Sequence, residues 1–418
     1  MNQRIAIVGT GIAGLTAAWL LQRRHEITVF ERDRRIGGHS HTVTVAADAG
    51  ELGVDTGFIV YNRRTYPNFA RMLDILGVAT QPSDMSFSFR DAATGQEYGA
   101  PEPWRLLAQP GNLLRGSFRR MLRDILRFYR EAPAWLERAD EGTVLEQFLT
   151  ERGYSQDFVE NHLYPVCAAI WSSPHAGMGR YPAAALFRFF ANHGLLSLTD
   201  RPQWRTVTGG SHRYVESLTA AFRDRIRTGT PVTSVERDED GITIRTPEGG
   251  PERFDQVVLA CHADQALAVL ATPTARETEV LGAFPYAANE TVLHSDTRIM
   301  PRRRLAWASW NYHRSAGGDR AVTVTYDQNR LQRLRSRRRW LVTLNRTADL
   351  DPALVHARLT YEHPQYDARA VRLQGAVDEL NGTNRTWYCG AYWGYGFHED
   401  GVVSGLRVAR AFGEELEP

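Results

Sequence analysis

The opening thirty-one residues restrict the fold more than any other part of the chain. Arg4 to Val8 (RIAIV) has the pattern of a short buried strand. It runs into GTGIAG, with Gly9, Gly11 and Gly14 in G-x-G-x-x-G spacing, and then into the helical run LTAAWLLQRR. A second strand, Glu26 to Phe30, ends at Glu31. The spacing alone is a weak signal, but the order strand, glycine turn, helix, strand, acid is specific for dinucleotide binding. Gly9 permits the tight turn, Gly11 lets backbone approach a pyrophosphate, and Gly14 lets helix and strand pack closely. Ile12 and Ala13 open the helix whose first N–H groups face the phosphates. Glu31, with Arg32 beside it, stands where an acid meets the ribose hydroxyls.

The next residues, RDRRIGGHSHTV, carry a second glycine pair, Gly37 and Gly38. Glu31 with this pair resembles the E-x-x-x-x-x-G-G-R fingerprint of the flavin-dependent amine oxidase superfamily, which includes monoamine oxidases, carotenoid desaturases and protoporphyrinogen oxidases. The resemblance implies FAD. The arginine that often follows the glycines is His39 here. A histidyl–flavin bond through His39 or His41 and an ordinary hydrogen-bonding histidine both remain open. VDTGFIVYN (54–62) resembles the family's acid-x-Gly segment, which implies Asp55 and Gly57 near the cofactor. TGGSHRYVESLTAAF resembles its G-G-x-x-x-L helix start at Gly209 and Gly210, and the strands after it imply Val232 on the adenine side. CGAYWGYGFHEDGVVSG, Cys389 to Gly405, resembles its terminal motif. That implies Gly390, Asp400, Gly401, Val402 and Val403 at the cofactor.

The expected fold class is therefore α/β, a Rossmann-type FAD-binding domain with an inserted α+β substrate domain. The FAD domain is expected from 1–63, 206–262 and 382–418, and the substrate domain from 64–205 and 263–381. The first insert reads as mainly helical, and the second has β runs at 305–312, 321–326 and 340–345. Only one G-x-G-x-x-G has the strand–turn–helix context, so no second Rossmann unit for NAD(P)H is expected and oxygen is the simplest electron acceptor.

Composition bounds the rest. At 418 residues the chain exceeds what one core usually holds. No run of about 18 apolar residues appears, and the N-terminus has no signal-peptide pattern, so a cytoplasmic protein is expected. The net charge of +2 gives no nucleic-acid signature. Three scattered cysteines argue against a zinc site or a disulfide framework. The chain has no lysine, which excludes Schiff-base chemistry and a P-loop lysine. It also excludes the lysine-held water that amine oxidases of the superfamily commonly place near flavin N5. Gly116 to Leu136 is a basic amphipathic helix by spacing, and peripheral contact with the inner membrane is its alternative to packing on a core.

Several segments together (VDTGFIVYNRRTYPN, RPQWRTVTGGSHRYV, WASWNYH, YEHP and CGAYWGYGFHEDG) resemble a bacterial subgroup of predicted NAD/FAD-binding proteins. That subgroup is associated with genes for cyclopropane-fatty-acid-synthase-like enzymes, which implies lipid substrates. The leading expectation is a FAD-dependent desaturase or isomerase of unsaturated fatty acyl chains. Its rivals are a small-amine oxidase and a flavin-bound lipid carrier or redox sensor without turnover. Candidate bases are His398 and Glu399, then Tyr61 and His313. Tyr392, Trp393, Trp310 and Tyr312 are the candidate substrate-pocket aromatics.

Overall fold

The structure is a computed structural model that describes residues 2–416 except 49, 141, 173–174, 198–199 and 318–321. Its centre is a five-stranded parallel sheet. In spatial order the strands are Ile226–Arg227, Glu26–Phe30, Arg4–Val8, Gln256–Leu259 and Thr386–Tyr388. The middle strand buries both faces, as strands of parallel sheets do. Ile5 and Ile7 face one apolar cluster, whereas Ala6 and Val8 face another, following the two-residue period. This is the Rossmann-type α/β architecture expected from the glycine turn.

On the first face lie the helices Ile12–Leu21 and His398–Ala411. All ten residues of the first helix are buried. The last helix closes on it through two notches. A Cβ on Gly401 would lie 2.6 Å from Ile12 Cγ2, and one on Gly405 would lie 2.5 Å from Ala13 O. The helices therefore approach closely only because these positions carry no side chain. The last helix starts at His398, so Asp400 and Gly401 lie in its first turn. The opposite face of the sheet carries the antiparallel strands Ser234–Asp238, Gly241–Arg245 and Glu252–Phe254, with helices from 263–281 and 368–380.

A second, seven-stranded sheet runs in the order Val355–Pro364, Tyr286–His294, Leu341–Leu344, Val324–Asp327, Trp310–Arg314, Phe87–Asp91, Glu97–Ala100. All neighbours are antiparallel except Trp310–Arg314 with Phe87–Asp91. Two of its strands come from the insert read as mainly helical. Phe87–Asp91 escapes a periodicity reading because Ser88, Phe89 and Asp91 are buried along with partly buried Phe87 and Arg90, so no clean alternation survives. The run expected from 305 begins only at Trp310, because Arg304–Ala306 forms a 3₁₀ turn with Leu305 in solvent. The run expected from 321 begins outside the described residues and is a strand over Val324–Asp327.

The helix expected over 116–136 is present at those bounds. Phe118, Met121, Ile125, Phe128 and Ala132 recur at intervals of three and four and enter the largest apolar cluster. Each large side chain so buried contributes about 1.5–3 kcal/mol. Among the described residues no helix is long and apolar enough to cross a membrane.

Candidate flavin site

The glycine turn has the geometry its residues require. Gly9 has φ +107°, and a Cβ there would stand 2.7 Å from Ala260 O. A Cβ on Gly14 would strike Gly9 O and come within 2.9 Å of Ala260 Cβ, so helix and sheet meet at bare backbone. Gly11 differs: a Cβ there would meet nothing within 4 Å. Its backbone is open on the side where the helix N-terminus presents the N–H groups of Ile12 and Ala13. Gly38, at φ +56°, folds the second glycine loop against it, with a would-be Cβ 3.0 Å from Gly11 Cα.

Glu31 fastens the two loops. Its Oε2 accepts the N–H of Thr10 at 2.9 Å and also the Thr10 hydroxyl, and its Oε1 accepts the N–H of Asp33 at 2.9 Å. Gly37 N–H donates to Thr10 O at 3.1 Å. A carboxylate has about four acceptor sites, so Glu31 keeps capacity for a ribose hydroxyl. Arg32 is exposed, 3.7 Å from Asp33. The open Gly11 backbone, the helix N-terminus and the buried acid fit the pyrophosphate and ribose of FAD.

Asp55 is wholly buried and turned to internal partners. It accepts hydrogen bonds from the Thr42 hydroxyl (2.5 Å), from Ser211 N–H (2.9 Å) and hydroxyl (2.8 Å), and from Gln332 Nε2 (2.9 Å). Burial still pushes its carboxyl up to about 6. It locks the hairpin Thr42–Asp55 onto the Gly209–Gly210 turn and onto the insert. Gly57 packs on His39, whose carbonyl oxygen a Cβ would strike. Val232 packs at the edge of the cluster on the far face of the sheet.

His39 opens a cluster of imidazoles. Its ring centroid lies 5.1 Å from Tyr361, 5.3 Å from His363 and 6.4 Å from His262. Its Nε2 is shielded from solvent and has no hydrogen-bond partner among the described residues. His41 Nδ1 lies 2.9 Å from the Tyr361 hydroxyl, and His363 Nδ1 lies 3.0 Å from Asn289 Nδ2. Burial pulls His39, His41 and His262 down to about 4 and His363 to about 3. All four are neutral at pH 7. His262 and His363 were missed from sequence. Their segments, LACHAD and YEHP, are visible, but only the two sheets bring them beside His39.

The C-terminal stretch divides among three apolar clusters. Gly390 N–H donates to the Ser404 hydroxyl at 3.0 Å. Tyr392 and Trp393 pack on Phe284, in the cluster on the far face of the parallel sheet. Trp310 and Tyr312 lie elsewhere, on the seven-stranded sheet, where Trp310 packs edge-on to Tyr326 and Tyr312 stacks on Phe89. The four candidate pocket aromatics therefore do not form one wall. Tyr395 and Phe397 meet the insert instead: Phe397 stacks on Phe189 at 4.9 Å, and Trp171 Nε1 donates to Tyr395 O at 3.1 Å.

His398, Glu399 and Tyr61 converge on Phe69. The His398 ring stacks on Phe58 with centroids 3.5 Å apart and meets Phe69 edge-on at 5.4 Å. Its Nε2 lies 2.9 Å from the Tyr214 hydroxyl and 3.0 Å from the Ser40 hydroxyl, and burial holds it well below the ordinary histidine range. Glu399 accepts hydrogen bonds from Asn68 N–H (3.0 Å), Asn68 Nδ2 (2.6 Å) and Phe69 N–H (2.9 Å), and so caps the helix Pro67–Ile75. Tyr61 packs edge-on to Phe69 at 5.3 Å. His313 is not part of this group; it sits on the strand Trp310–Arg314.

Asp400 lines a cavity of about 460 Å³ with Arg64, Tyr66, His193, Tyr395 and Phe397. Its Oδ2 accepts the N–H of Phe397 at 2.8 Å, and burial pushes the carboxyl up to about 7. Gly401 and Val402 pack inward against the first helix, whereas Val403 is exposed.

A parallel sheet whose first turn fits a pyrophosphate, joined to a second sheet that brings its own side chains to the glycine loops, defines a dinucleotide-binding α/β fold of the kind that holds FAD. The family model for flavin containing amine oxidoreductases matches residues 12–296, more than half of the chain, and the chain belongs to that family. A relative in Mycobacterium tuberculosis, named as a flavin-containing monoamine oxidase, is 25% identical over 258 residues, 59% of this chain and 54% of its own. The chain spans about half the length of the curated relatives it matches. Putrescine oxidase bound to putrescine superposes with a TM-score of 0.67 at 17% identity over 99% of both chains. A CLA-producing fatty acid isomerase from P. acnes superposes with a TM-score of 0.66 at 17% identity, over 98% of this chain and 99% of that one. At these identities the structural likeness shows the fold. FAD supplies hydride chemistry when bound, and the protein supplies position and polarity.

Proposed function

We propose that the chain desaturates or isomerises unsaturated fatty acyl chains, with hydride leaving an allylic carbon for flavin N5. One observation supports this reading above the others: the imidazoles gathered beside the glycine loops carry no charge at pH 7. His39, His41, His262, His363 and His398 are all held neutral by burial. Trp171, Phe189, Tyr395 and Phe397 pack together where the C-terminal turn meets the insert. A hydrocarbon chain gains by entering such surroundings, whereas an ammonium group loses hydration. In desaturation the second hydrogen leaves as a proton. Asp400 suits that role, because its carboxyl titrates near neutrality and lines the cavity. In isomerisation the hydride returns to the far allylic carbon and no net proton moves. Oxygen as the final acceptor belongs to the desaturase form of this proposal.

The test is lipid analysis of cells with and without the gene. The proposal expects a change in the number or position of acyl double bonds; an unchanged fatty acid profile would sink it.

Oxidation of a small amine is the second reading. Family membership and the name of the Mycobacterium tuberculosis relative favour it. The absence of lysine weighs against it, since the lysine-held water common to amine oxidases has no counterpart here.

A further inference from the structure

Five large apolar side chains stand in solvent at one end of the molecule. They are Trp104 (58% exposed), Leu107 (44%), Leu113 (43%), Leu114 (83%) and Leu305 (51%). They come from two segments far apart in sequence, and one buried residue joins those segments. The Glu97 carboxylate accepts the backbone N–H groups of Arg302 (2.9 Å) and Arg303 (3.0 Å). The Glu97 carbonyl accepts Asn112 Nδ2 at 2.9 Å, and its N–H donates to Gln109 Oε1 at 2.9 Å. Arg105 Nη1 donates to Trp307 O at 2.6 Å, which seats the turn Pro103–Leu106 beside the turn Arg304–Ala306. The apolar side chains thus form one built surface rather than scattered exposures.

The rim of this surface is basic. Arg119, Arg302, Arg303 and Arg304 are exposed and Arg115 is half-buried. The nearby carboxylates are already engaged: Glu102 with Arg105, Asp157 with Arg120, Glu131 with Arg127, and buried Glu97 with Arg90. Two of these pairs also consume arginines of the helix Gly116–Leu136, so the helix itself offers less free charge than its sequence suggests.

We propose that this end of the molecule docks on a bilayer containing anionic phospholipid. The leucines and Trp104 would enter the headgroup layer while the arginine rim meets lipid phosphate, the arrangement by which peripheral proteins hold a membrane surface. Charge selects this occupant. A second copy of the chain, packed by a two-fold axis, would set the arginine rim against itself.

The experiment is co-sedimentation of the full-length, FAD-loaded protein with vesicles. One set is phosphatidylcholine alone, and the other carries phosphatidylglycerol at about a third of the lipid, enough for a strongly negative surface. Binding to the anionic vesicles is expected to exceed binding to neutral ones by about tenfold and to be lost in about 0.5 M salt. The variants Leu113→Asp/Leu114→Asp and Arg302→Glu/Arg303→Glu/Arg304→Glu should each lose about tenfold in partitioning. Both sets of side chains are exposed, so the flavin absorbance and melting temperature should be unchanged. Equal binding to the two vesicle types, or undiminished binding by either variant, would overturn the proposal. So would light scattering that shows a dimer broken by Leu113→Asp/Leu114→Asp, with no vesicle binding by the parent. This inference is independent of which substrate the flavin serves.

Discussion

Nε2 of His398, on the first turn of the last helix, lies 2.9 Å from the hydroxyl of Tyr214, on the helix His212–Thr219 that follows the Gly209–Gly210 turn. The pair ties the two downstream segments of the flavin domain to each other, and Ser40 adds the glycine loop of the first. Removing His398 leaves a void under Phe58 and strips a partner from a buried hydroxyl. His398→Ala should therefore destabilise the fold by about 2–4 kcal/mol, and Tyr214→Phe by about 1 kcal/mol. In a double-mutant cycle read by denaturant unfolding, the two losses should be non-additive. Additive losses would show that the residues act separately.

Gly11 and Gly14 differ in what surrounds them, which yields opposite expectations for one substitution. Gly11 has an ordinary extended backbone (φ −65°, ψ 172°) and open space beside it. Gly11→Ala should fold at least as well as the parent, within about 1 kcal/mol, yet fail to retain FAD because the methyl group occupies the pyrophosphate approach. Gly14→Ala should lose stability as well, since its Cβ meets Gly9 and Ala260 backbone and side chain. Thermal melting of the apo forms and the flavin-to-protein absorbance ratio separate the two.

The imidazole cluster makes the fold acid-labile. His39, His41 and His262 titrate near 4 in the native state, below the ordinary 6.5. Between those values the unfolded chain binds more protons than the native one, so stability rises with pH. It is complete above about 6.5 and is lost as pH falls toward 4, each group contributing at most about 1.4 kcal/mol per pH unit. His39→Gln should flatten the acid limb of a stability–pH curve; an unaltered limb would count against the cluster.

Asp400 has the opposite sign. Its carboxyl is raised to about 7 from 3.8, so the native state holds the extra proton between those values. Its contribution falls as pH rises through that window, by at most about 1.4 kcal/mol per unit, and is level above 7. Asp400→Asn, compared with the parent across this range, should remove that fall. Asp400→Ala should also lower FAD affinity, read by equilibrium dialysis, because the helix start loses its bond to Phe397 N–H.

Local features were legible in the sequence. The strand, glycine turn, helix and Glu31 lie within thirty residues, and their conformations follow from residue type. The helix Gly116–Leu136 was legible by its period. The imidazole cluster was not: His39 and His262 lie in loops beyond strands of the parallel sheet, and they meet His363 only because an edge strand of the seven-stranded sheet folds against those loops. Glu399 looked like a base beside His398, and no pattern announces that it caps the helix Pro67–Ile75, 330 residues away. Asp55 resembles a cofactor acid in sequence, while its hydrogen bonds to Ser211 and Gln332 depend on tertiary contact alone.

The substrate assignment is tested most directly by mixing the oxidised holoprotein, under argon, with unsaturated phospholipid or with small primary amines. Flavin absorbance near about 450 nm is followed, and the recovered lipid is assayed for double-bond position. The account predicts bleaching by the lipid, or a shifted double bond without net bleaching, and no response to amines. Bleaching by amines with the lipid untouched would contradict it.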